Sequence, residues 1–317
     1  MRLSKISATL TTAFPFWLIL GCVWAWLQPD TWTWFSPWIA PALGVIMLGM
    51  GLTLRFSDFA SVLKEPKRIA LGVFAQFGIM PLVGWGLAKI FGLETGLALG
   101  LILVACCPGG TVSNVICHLA KANVPLSVLL TMTSTMTAVV VTPLLTSWLA
   151  GAWMPVDAWA LFKSMVIVVL LPLIVGISVN TLLGKMKDAR KLREGIDAIG
   201  PLVSALVVVA IVGCIVAGKR DEIASAAVPL FVSVILLHGF GFFLGYFFAK
   251  LTGCKESLRR TISIEVGMQN SGLAAALATK HFPSIALAPV PAAISAVFHS
   301  LIGSALAAWW RRKGTVD

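Results

Sequence analysis

The sequence predicts an all-α polytopic membrane protein with ten transmembrane helices arranged as two inverted five-helix repeats. Three observations support this fold: the composition, the recurrence of apolar runs, and two interrupted runs half a chain apart. Of the 317 residues, 58% are hydrophobic and only 12% are charged, whereas soluble domains carry about 25% charged residues. A water-soluble protein of this length would need more polar surface, so lipid is the expected solvent.

Ten apolar runs along the chain are candidates for membrane-spanning helices, each of which takes about 20 residues. The connecting segments are too short to form an extramembrane catalytic domain. In chain order, the predicted helices 1 to 10 cover residues 11–28, 37–54, 68–91, 95–121, 124–151, 158–181, 199–217, 223–250, 257–280 and 283–310. The first run follows a basic N-terminus, as in a signal peptide, but no A-x-A cleavage motif follows it, so we expect a retained helix.

The positions of Lys and Arg predict the orientation in the membrane. With the N-terminus inside, only five of the 24 basic residues fall outside, which leaves 19 inside. The five are Lys89, Lys163, Lys219, Arg220 and Lys280. This asymmetry fits ten helices with both termini in the cytoplasm. Basic loops and anionic membrane lipid headgroups account for the net charge of +11, so no nucleic-acid binding is expected.

Two of the ten runs are poor membrane helices. In the fourth, LGLILVACCPGGTVSNVICHLAK, residues 108–110 break the helix, and in the ninth, TISIEVGMQNSGLAAALATK, Gly267 and Gly272 flank a polar cluster. Asn114 and Asn270 are 156 residues apart, so the breaks occupy matching positions in two halves. Since each half has five helices, the second half enters from the opposite side. Inverted repeats with broken helices are expected of a secondary transporter with a midplane site.

Glu265 lies in the ninth run, and a carboxylate at the bilayer centre costs about 2.5–3.5 kcal/mol on insertion scales. That cost disappears if Glu265 faces a cavity and holds a cation, either a metal ion or a proton. Neutral oxygen ligands are offered by Gln76, Ser113, Asn114, Ser127, Thr131, Gln269 and Asn270. One carboxylate among neutral oxygens favours sodium, because divalent ions usually take more carboxylates.

Simpler explanations exist for several of these side chains. Ser127 and Thr131 share one helix face, and both could bond to carbonyls of their own helix. Gln76 could be a packing amide between helices. A proton-coupled carrier that uses Glu265 alone is the alternative function. An intramembrane enzyme is not expected, because no Ser–His–Asp set or HExxH motif is found.

Three stretches of the chain resemble the bile acid:sodium symporter family, in particular its bacterial members. They are GMGLTLRFSDF (49–59), CCPGGTVSNVICHLAKANVPLSV (106–128) and EVGMQNSGLAAALA (265–278), and the similarity runs over nearly the whole chain. The resemblance implies a panel domain of helices 1, 2, 6 and 7, at residues 11–54 and 158–217. It also implies a core domain of helices 3–5 and 8–10, at 68–151 and 223–310, in which broken helices 4 and 9 cross.

The resemblance further implies two sodium ions bound behind the crossing. The first site would use Ser113, Asn114, Ser127, Thr131 and Glu265. The second would use Gln76, Glu265, Gln269 and the backbone carbonyls of Val266 and Met268. The substrate would lie between panel and core, near Thr111, Asn270 and His299.

The expected function is therefore sodium-coupled symport of a small organic anion across a bacterial inner membrane, by a monomer. The anion would be a pantoate-like hydroxy or keto acid, or a bile-acid-like molecule. Bacterial members often carry His-Asn in helices 8 and 10, where this chain has His238–Gly239 and His299–Ser300. Because helix 10 lies near the expected substrate crevice, these departures leave the identity of the substrate open.

Overall fold

The computed structural model describes residues 10–11, 13–186, 189–225 and 228–314. Within these residues the chain is helical, and no strand is present beyond one isolated bridge. The main helices are α1 (Phe14–Leu27), α2 (Ile39–Thr53), α3 (Pro66–Ile90), α4a (Thr95–Cys106), α4b (Ser113–Leu119), α5 (Val124–Ala150), α6 (Ala158–Leu183), α7 (Arg190–Gly218), α8 (Val228–Leu251), α9a (Glu256–Gly267), α9b (Ser271–His281) and α10 (Val290–Lys313). Arg2, Lys5 and Lys187, which enter the predicted charge asymmetry, lie outside the described residues, as do residues 12 and 226–227 of the first and eighth predicted helices.

Seven helices of the described residues are long and apolar enough to cross a membrane: α2 with the two short helices before it, α3, α5, α6, α7, α8 and α10. Helices α1 and α4a are apolar but shorter. These helices confirm an all-helical, multi-pass membrane protein. The ten-helix topology and its inverted repeat stay predictions.

The helices pack in two neighbourhoods. Helix α7 lies against α1 and α2, and α6 lies against α2. In the other neighbourhood α8 packs on α9a, α3 and α10, and α3 packs on α4a and α5. Contacts between the two neighbourhoods involve α9b and α10 against α1, α2 and α7, and α5 against α6.

Glycines allow α2 and α6 to approach at backbone distance. A Cβ at Gly51 would lie 2.3 Å from the carbonyl oxygen of Leu173, and one at Gly176 would lie 2.5 Å from that of Leu48. Small residues are the usual means of close helix approach in membranes. The two helices therefore lie in direct backbone contact at these glycines.

The broken helices occupy the interior of the molecule. All residues of α4a from Gly96 to Cys106 are buried, and so are Ser271 to Ala278 of α9b. At the breaks, residues 107–109 and 268–270 are buried, whereas 110–112 are half-buried and two of them line a cavity. Non-helical backbone at membrane depth is tolerated where it is buried in protein or lines a cavity.

Several predicted boundaries differ from the structure. Helix α7 begins at Arg190, nine residues before the predicted start, because the basic stretch RKLREGIDA continues the helix. Helix α10 begins at Val290, seven residues late, since the connection 282–289 contains two prolines. Short helices at Asp30–Thr33 and Phe56–Lys64 lie outside the predicted membrane-length runs. The starts of two predicted helices belong to other short helices, Ser36–Trp38 before α2 and Arg220–Ser225 before α8.

Candidate functional site

The two breaks in the helices cross each other in antiparallel fashion. Gly109 and Gln269 form the isolated bridge. The N–H of Gly110 donates to the carbonyl of Met268 at 2.9 Å, and the N–H of Asn270 donates to that of Pro108 at 2.8 Å. A Cβ at Gly110 would lie only 2.8 Å from the carbonyl oxygen of Gln269. The glycine therefore permits the contact between the two broken segments.

Local sequence explains where the first break falls. Cys107 has φ −74° and ψ 160°, an extended conformation that proline imposes on the preceding residue. Pro108 then has no N–H to continue the helix. Helix α4b starts at Ser113 and α9b starts at Ser271, where the side chain of Asn270 caps the N–H of Leu273 at 3.0 Å.

Side chains from three neighbouring helices form hydrogen bonds with the backbone carbonyls that the breaks leave without a helical partner. Thr142 of α5 donates to the carbonyl of Cys106 at 2.6 Å. Gln76 of α3 donates through Nε2 to the carbonyl of Cys107 at 2.9 Å. A ring nitrogen of His238 on α8, Nδ1, lies 2.8 Å from the carbonyl oxygen of Gly267.

Glu265 lies directly beside the crossing and is only 4% exposed. Its Oε1 accepts hydrogen bonds from Ser113 Oγ at 2.6 Å and Ser127 Oγ at 2.5 Å. Its Oε2 accepts one from Thr131 Oγ1 at 2.9 Å. Ser127 Oγ is also 2.8 Å from Asn114 Oδ1. The structure thus brings together all five residues predicted for the first sodium site.

No basic side chain of the described residues forms an ion pair with Glu265. Arg260, one and a half turns earlier on α9a, is buried but pairs with Glu256 at 2.9 Å. Its other nitrogens donate to the carbonyls of Ala120 at 3.1 Å and Gly314 at 2.8 Å. The neutral hydroxyl groups are therefore the direct partners of the carboxylate.

The residues predicted for the second sodium site also meet at the crossing. Gln76 Nε2 donates to Gln269 Oε1 at 2.8 Å, and Gln269 Nε2 donates to the carbonyl of Val266 at 2.9 Å. The carbonyl of Met268 accepts from Gly110, as described above. Gln76 Oε1 is buried and has no hydrogen-bond partner. An orphaned buried oxygen needs a cation or a donor to satisfy it.

The alternatives for Thr131 and Gln76 are partly realised. Thr131 Oγ1 lies 3.0 Å from the carbonyl of Ser127, the back-bond of a helical threonine, as well as near Glu265. Gln76 does bridge helices, but the groups it bridges are the two breaks themselves. Both side chains consequently have a structural and a potential ligand role.

A cavity of about 200 Å³ adjoins the crossing and is lined by α2, α7, the first break, the start of α4b, Val128 of α5 and Thr11. Thr111 and Asn114 line it, opposite Gly49 and Ser204. His299 and Asn270 are not among its lining residues. His299 is buried, with Nδ1 at 3.5 Å from Ser271 Oγ.

His238 and Ser295 were not predicted as site residues. Ser295 Oγ lies 2.7 Å from His238 Nε2 and 2.8 Å from Ser271 Oγ, and the rings of His238 and His299 meet edge to face at 5.2 Å. A chain of polar groups thus runs from the end of α9a to the start of α9b. Two histidines and a serine within apolar helices were the available signal in the sequence.

Comparisons with known proteins decide the family. A family model described as the Sodium Bile acid symporter family matches residues 40–226. The chain belongs to this family. It is 45% identical over 309 residues to the protein described as the uncharacterized sodium-dependent transporter YocS of Bacillus subtilis (strain 168), covering 98% of this chain and 94% of the relative.

Plant relatives are nearly as similar. The probable sodium/metabolite cotransporter BASS1, chloroplastic, of Arabidopsis thaliana is 41% identical, with 97% of this chain and 75% of the relative covered. The probable sodium/metabolite cotransporter BASS2, chloroplastic, of Oryza sativa subsp. japonica is 43% identical, with 98% and 73% covered. The family and these relatives are transporters and not enzymes, which confirms that prediction and supports a sodium-dependent membrane transporter.

Proposed function

We propose that this protein is a sodium-coupled symporter of a small organic anion and that Glu265 is the shared ligand of two sodium ions. The observation that carries the proposal is a buried carboxylate, without a basic partner among the described residues, whose neighbours are three hydroxyl groups. An unpaired buried charge is expensive unless a counter-ion is bound. Sodium is a hard cation that suits oxygen ligands.

The first sodium ion would sit among Glu265, Ser113, Asn114, Ser127 and Thr131. The second would sit among Glu265, Gln76, Gln269 and the carbonyls of Val266 and Met268. Support for the second site comes from Gln76 Oε1, the buried oxygen without a partner. Two ions per monovalent anion would carry one net positive charge inward, so the membrane potential would add about 2.3 kcal/mol per 100 mV.

Transport would involve movement of two bodies. We assign helices 1, 2, 6 and 7 to a panel and helices 3–5 and 8–10 to a core, as two inverted repeats of ten transmembrane segments with both termini in the cytoplasm. The two packing neighbourhoods support this division. Sodium would neutralise Glu265 and hold the crossing together. The core would then move against the panel and expose the site to the other side.

The substrate carboxylate would bind near Thr111, Asn270 and His299. Support is strongest for Thr111, which lines the cavity between α2, α7 and the first break. The location of His299 behind Ser271 favours an indirect role, unless the core rearranges. A pantoate-like acid is our first candidate and a bile-acid-like anion the second, carried by a monomer in a bacterial inner membrane.

The test is uptake into proteoliposomes that contain the purified protein. Labelled pantoate and labelled taurocholate are supplied with an inward sodium gradient or with choline in place of sodium. We expect saturable uptake of an anion only with sodium, and faster uptake when the interior is negative. Uptake that is equal in sodium and choline would overturn the proposal.

Proton coupling through Glu265 is the competing function. Under it, a pH gradient without sodium drives uptake, and Ser127→Ala has little effect. The two functions are separated by measuring uptake in choline with an imposed pH gradient, where sodium symport predicts none.

A further inference from the structure

A second cavity, of about 330 Å³, lies at the opposite ends of α2 and α7 from the first. The first cavity touches Gly49 to Thr53 of α2, near its C-terminus, whereas this one touches Ile39, the first residue of that helix. On α7 it touches Cys214 to Gly218, the last turn. In the proposed orientation it opens to the outside of the cell, and we name it the outer vestibule.

The outer vestibule lies between the two packing neighbourhoods. One wall is formed by α2, α7 and the segment before α2. The other is formed by the end of α9b and by the connection 282–289. Any molecule bound here would touch both bodies at once, so relative movement of those bodies would change its site.

The chemistry of the lining suits an amphipathic anion. The floor consists of buried apolar side chains, Ile39, Cys214, Ile215, Phe282 and Pro289. The polar lining residues are Thr33, Ser36, Thr279 and Lys219. A mainly apolar concave site with a few converging polar groups is the usual form of a small-molecule pocket.

Lys219 alone carries a charge among the described residues that line the outer vestibule. Its Nζ is 3.4 Å from Glu222 Oε1, and both side chains are about one-third exposed, at 29% and 34%. Such exposed pairs are weak. A ligand carboxylate can therefore compete with Glu222 for the ammonium group.

We propose that the outer vestibule is a second anion site, where Lys219 captures the substrate before it reaches the crossing. Its ligand is an organic monoanion with an apolar body, which lies on the floor of the vestibule while its carboxylate meets Lys219. The assignment of that ligand as the transported substrate rests on the proposed function. The existence of the anion site does not.

The experiment measures protection of a thiol in the purified protein. Thr33 is exposed and lines the vestibule, whereas Thr31 is exposed and does not. The variants Thr33→Cys and Thr31→Cys are labelled with a membrane-impermeant maleimide, and labelling at each position is quantified by mass spectrometry of the peptide. Octanoate is the probe, and octylammonium is its cationic control.

We expect octanoate to slow labelling of Thr33→Cys about threefold or more, with no effect on Thr31→Cys and none from octylammonium. Adding Lys219→Gln should raise the half-protecting octanoate concentration about two- to fivefold. Adding Glu222→Gln, which frees Lys219, should lower it. Lys280→Gln is the matched control, since Lys280 is exposed, falls on the same predicted side and does not line the vestibule.

Equal protection of both thiols, or equal half-protecting concentrations with and without Lys219→Gln, would overturn the anion site. The assay needs neither sodium nor transport, so its failure is distinct from that of the proposed function. If octanoate protects as expected but uptake into proteoliposomes does not depend on sodium, the anion site is supported and sodium symport is refuted. A capture role also requires that Lys219→Gln raise the KM of uptake and leave its maximal rate unchanged.

Discussion

The substitution Ser127→Ala tests the first sodium site most sharply. Ser127 is fully buried, and its hydroxyl contacts both Glu265 at 2.5 Å and Asn114 at 2.8 Å. A hydrogen bond to a charged group contributes about 1.5–3 kcal/mol, and each 1.4 kcal/mol is a factor of ten. If that hydroxyl also ligates sodium, the dissociation constant for sodium should rise roughly tenfold or more.

Thermal unfolding of the purified protein across a series of sodium concentrations measures this shift without knowledge of the substrate, because a ligand that binds only the folded state stabilises it by RT ln(1 + [L]/Kd) and so raises Tm once its concentration exceeds Kd. Choline replaces sodium at constant ionic strength. Thr133→Val is the matched control, since Thr133 lies on the same helix and its hydroxyl bonds only its own turn, at Leu129. If the rise of Tm begins at the same sodium concentration in Ser127→Ala and Thr133→Val, the reasoning is refuted.

Three further substitutions test the surroundings of the crossing. Gly110→Ala should lower the free energy of unfolding by about 1–3 kcal/mol and weaken sodium binding, because its Cβ would collide with the Gln269 carbonyl. Gly86→Ala is the control, since a Cβ there has no neighbour within 4 Å, and it should change neither stability nor sodium binding. Tm in sodium compares the two variants. His238→Ala should weaken sodium binding, because it leaves the Gly267 carbonyl without a hydrogen-bond donor. His238→Asn keeps a donor and should restore part of the lost sodium affinity. Identical sodium titrations for the two variants would contradict a positioning role for His238. Arg260→Gln should lower the free energy of unfolding by about 3 kcal/mol, because it removes the ion pair with Glu256 and the donors to two backbone carbonyls. The sodium dependence of Tm in the folded variant should be unchanged.

The interrupted helices could be predicted from the sequence because their cause is local. Proline and two glycines at 108–110 remove a donor and loosen the backbone, and the break follows immediately after Cys107. A carboxylate in an apolar run is likewise visible without a structure. The sequence therefore indicated the position of the breaks, and it singled out Glu265, whose role as an ion ligand stays a prediction.

The residues that support the breaks could not be assigned in the same way. Thr142, His238 and Ser295 act through contacts with residues 24 to 57 positions away in the chain. The sequence around each of them gives no indication of those partners. A threonine or histidine in an apolar helix has many possible bonds, including one to its own turn. Only the arrangement of α5, α8 and α10 around the breaks selects among them.

Some helix boundaries were wrong for a related reason. Hydropathy ends a helix where charge begins, but RKLREGIDA continues α7 as a polar extension. The outer vestibule was also beyond reach, since it combines a segment near residue 33, the end of α7 and the connection 282–289. The apolar lining and Lys219 come from distant parts of the sequence, so their proximity is visible only in the folded structure.

Direct measurement of sodium binding to the purified protein tests the central claim, that one buried carboxylate holds the coupling ions. Radioactive sodium is bound to the unaltered protein and to Glu265→Gln, and unlabelled sodium, lithium and potassium compete. The account predicts saturable sodium binding that potassium does not displace and that Glu265→Gln abolishes. Sodium binding of equal affinity and stoichiometry in folded Glu265→Gln would contradict it.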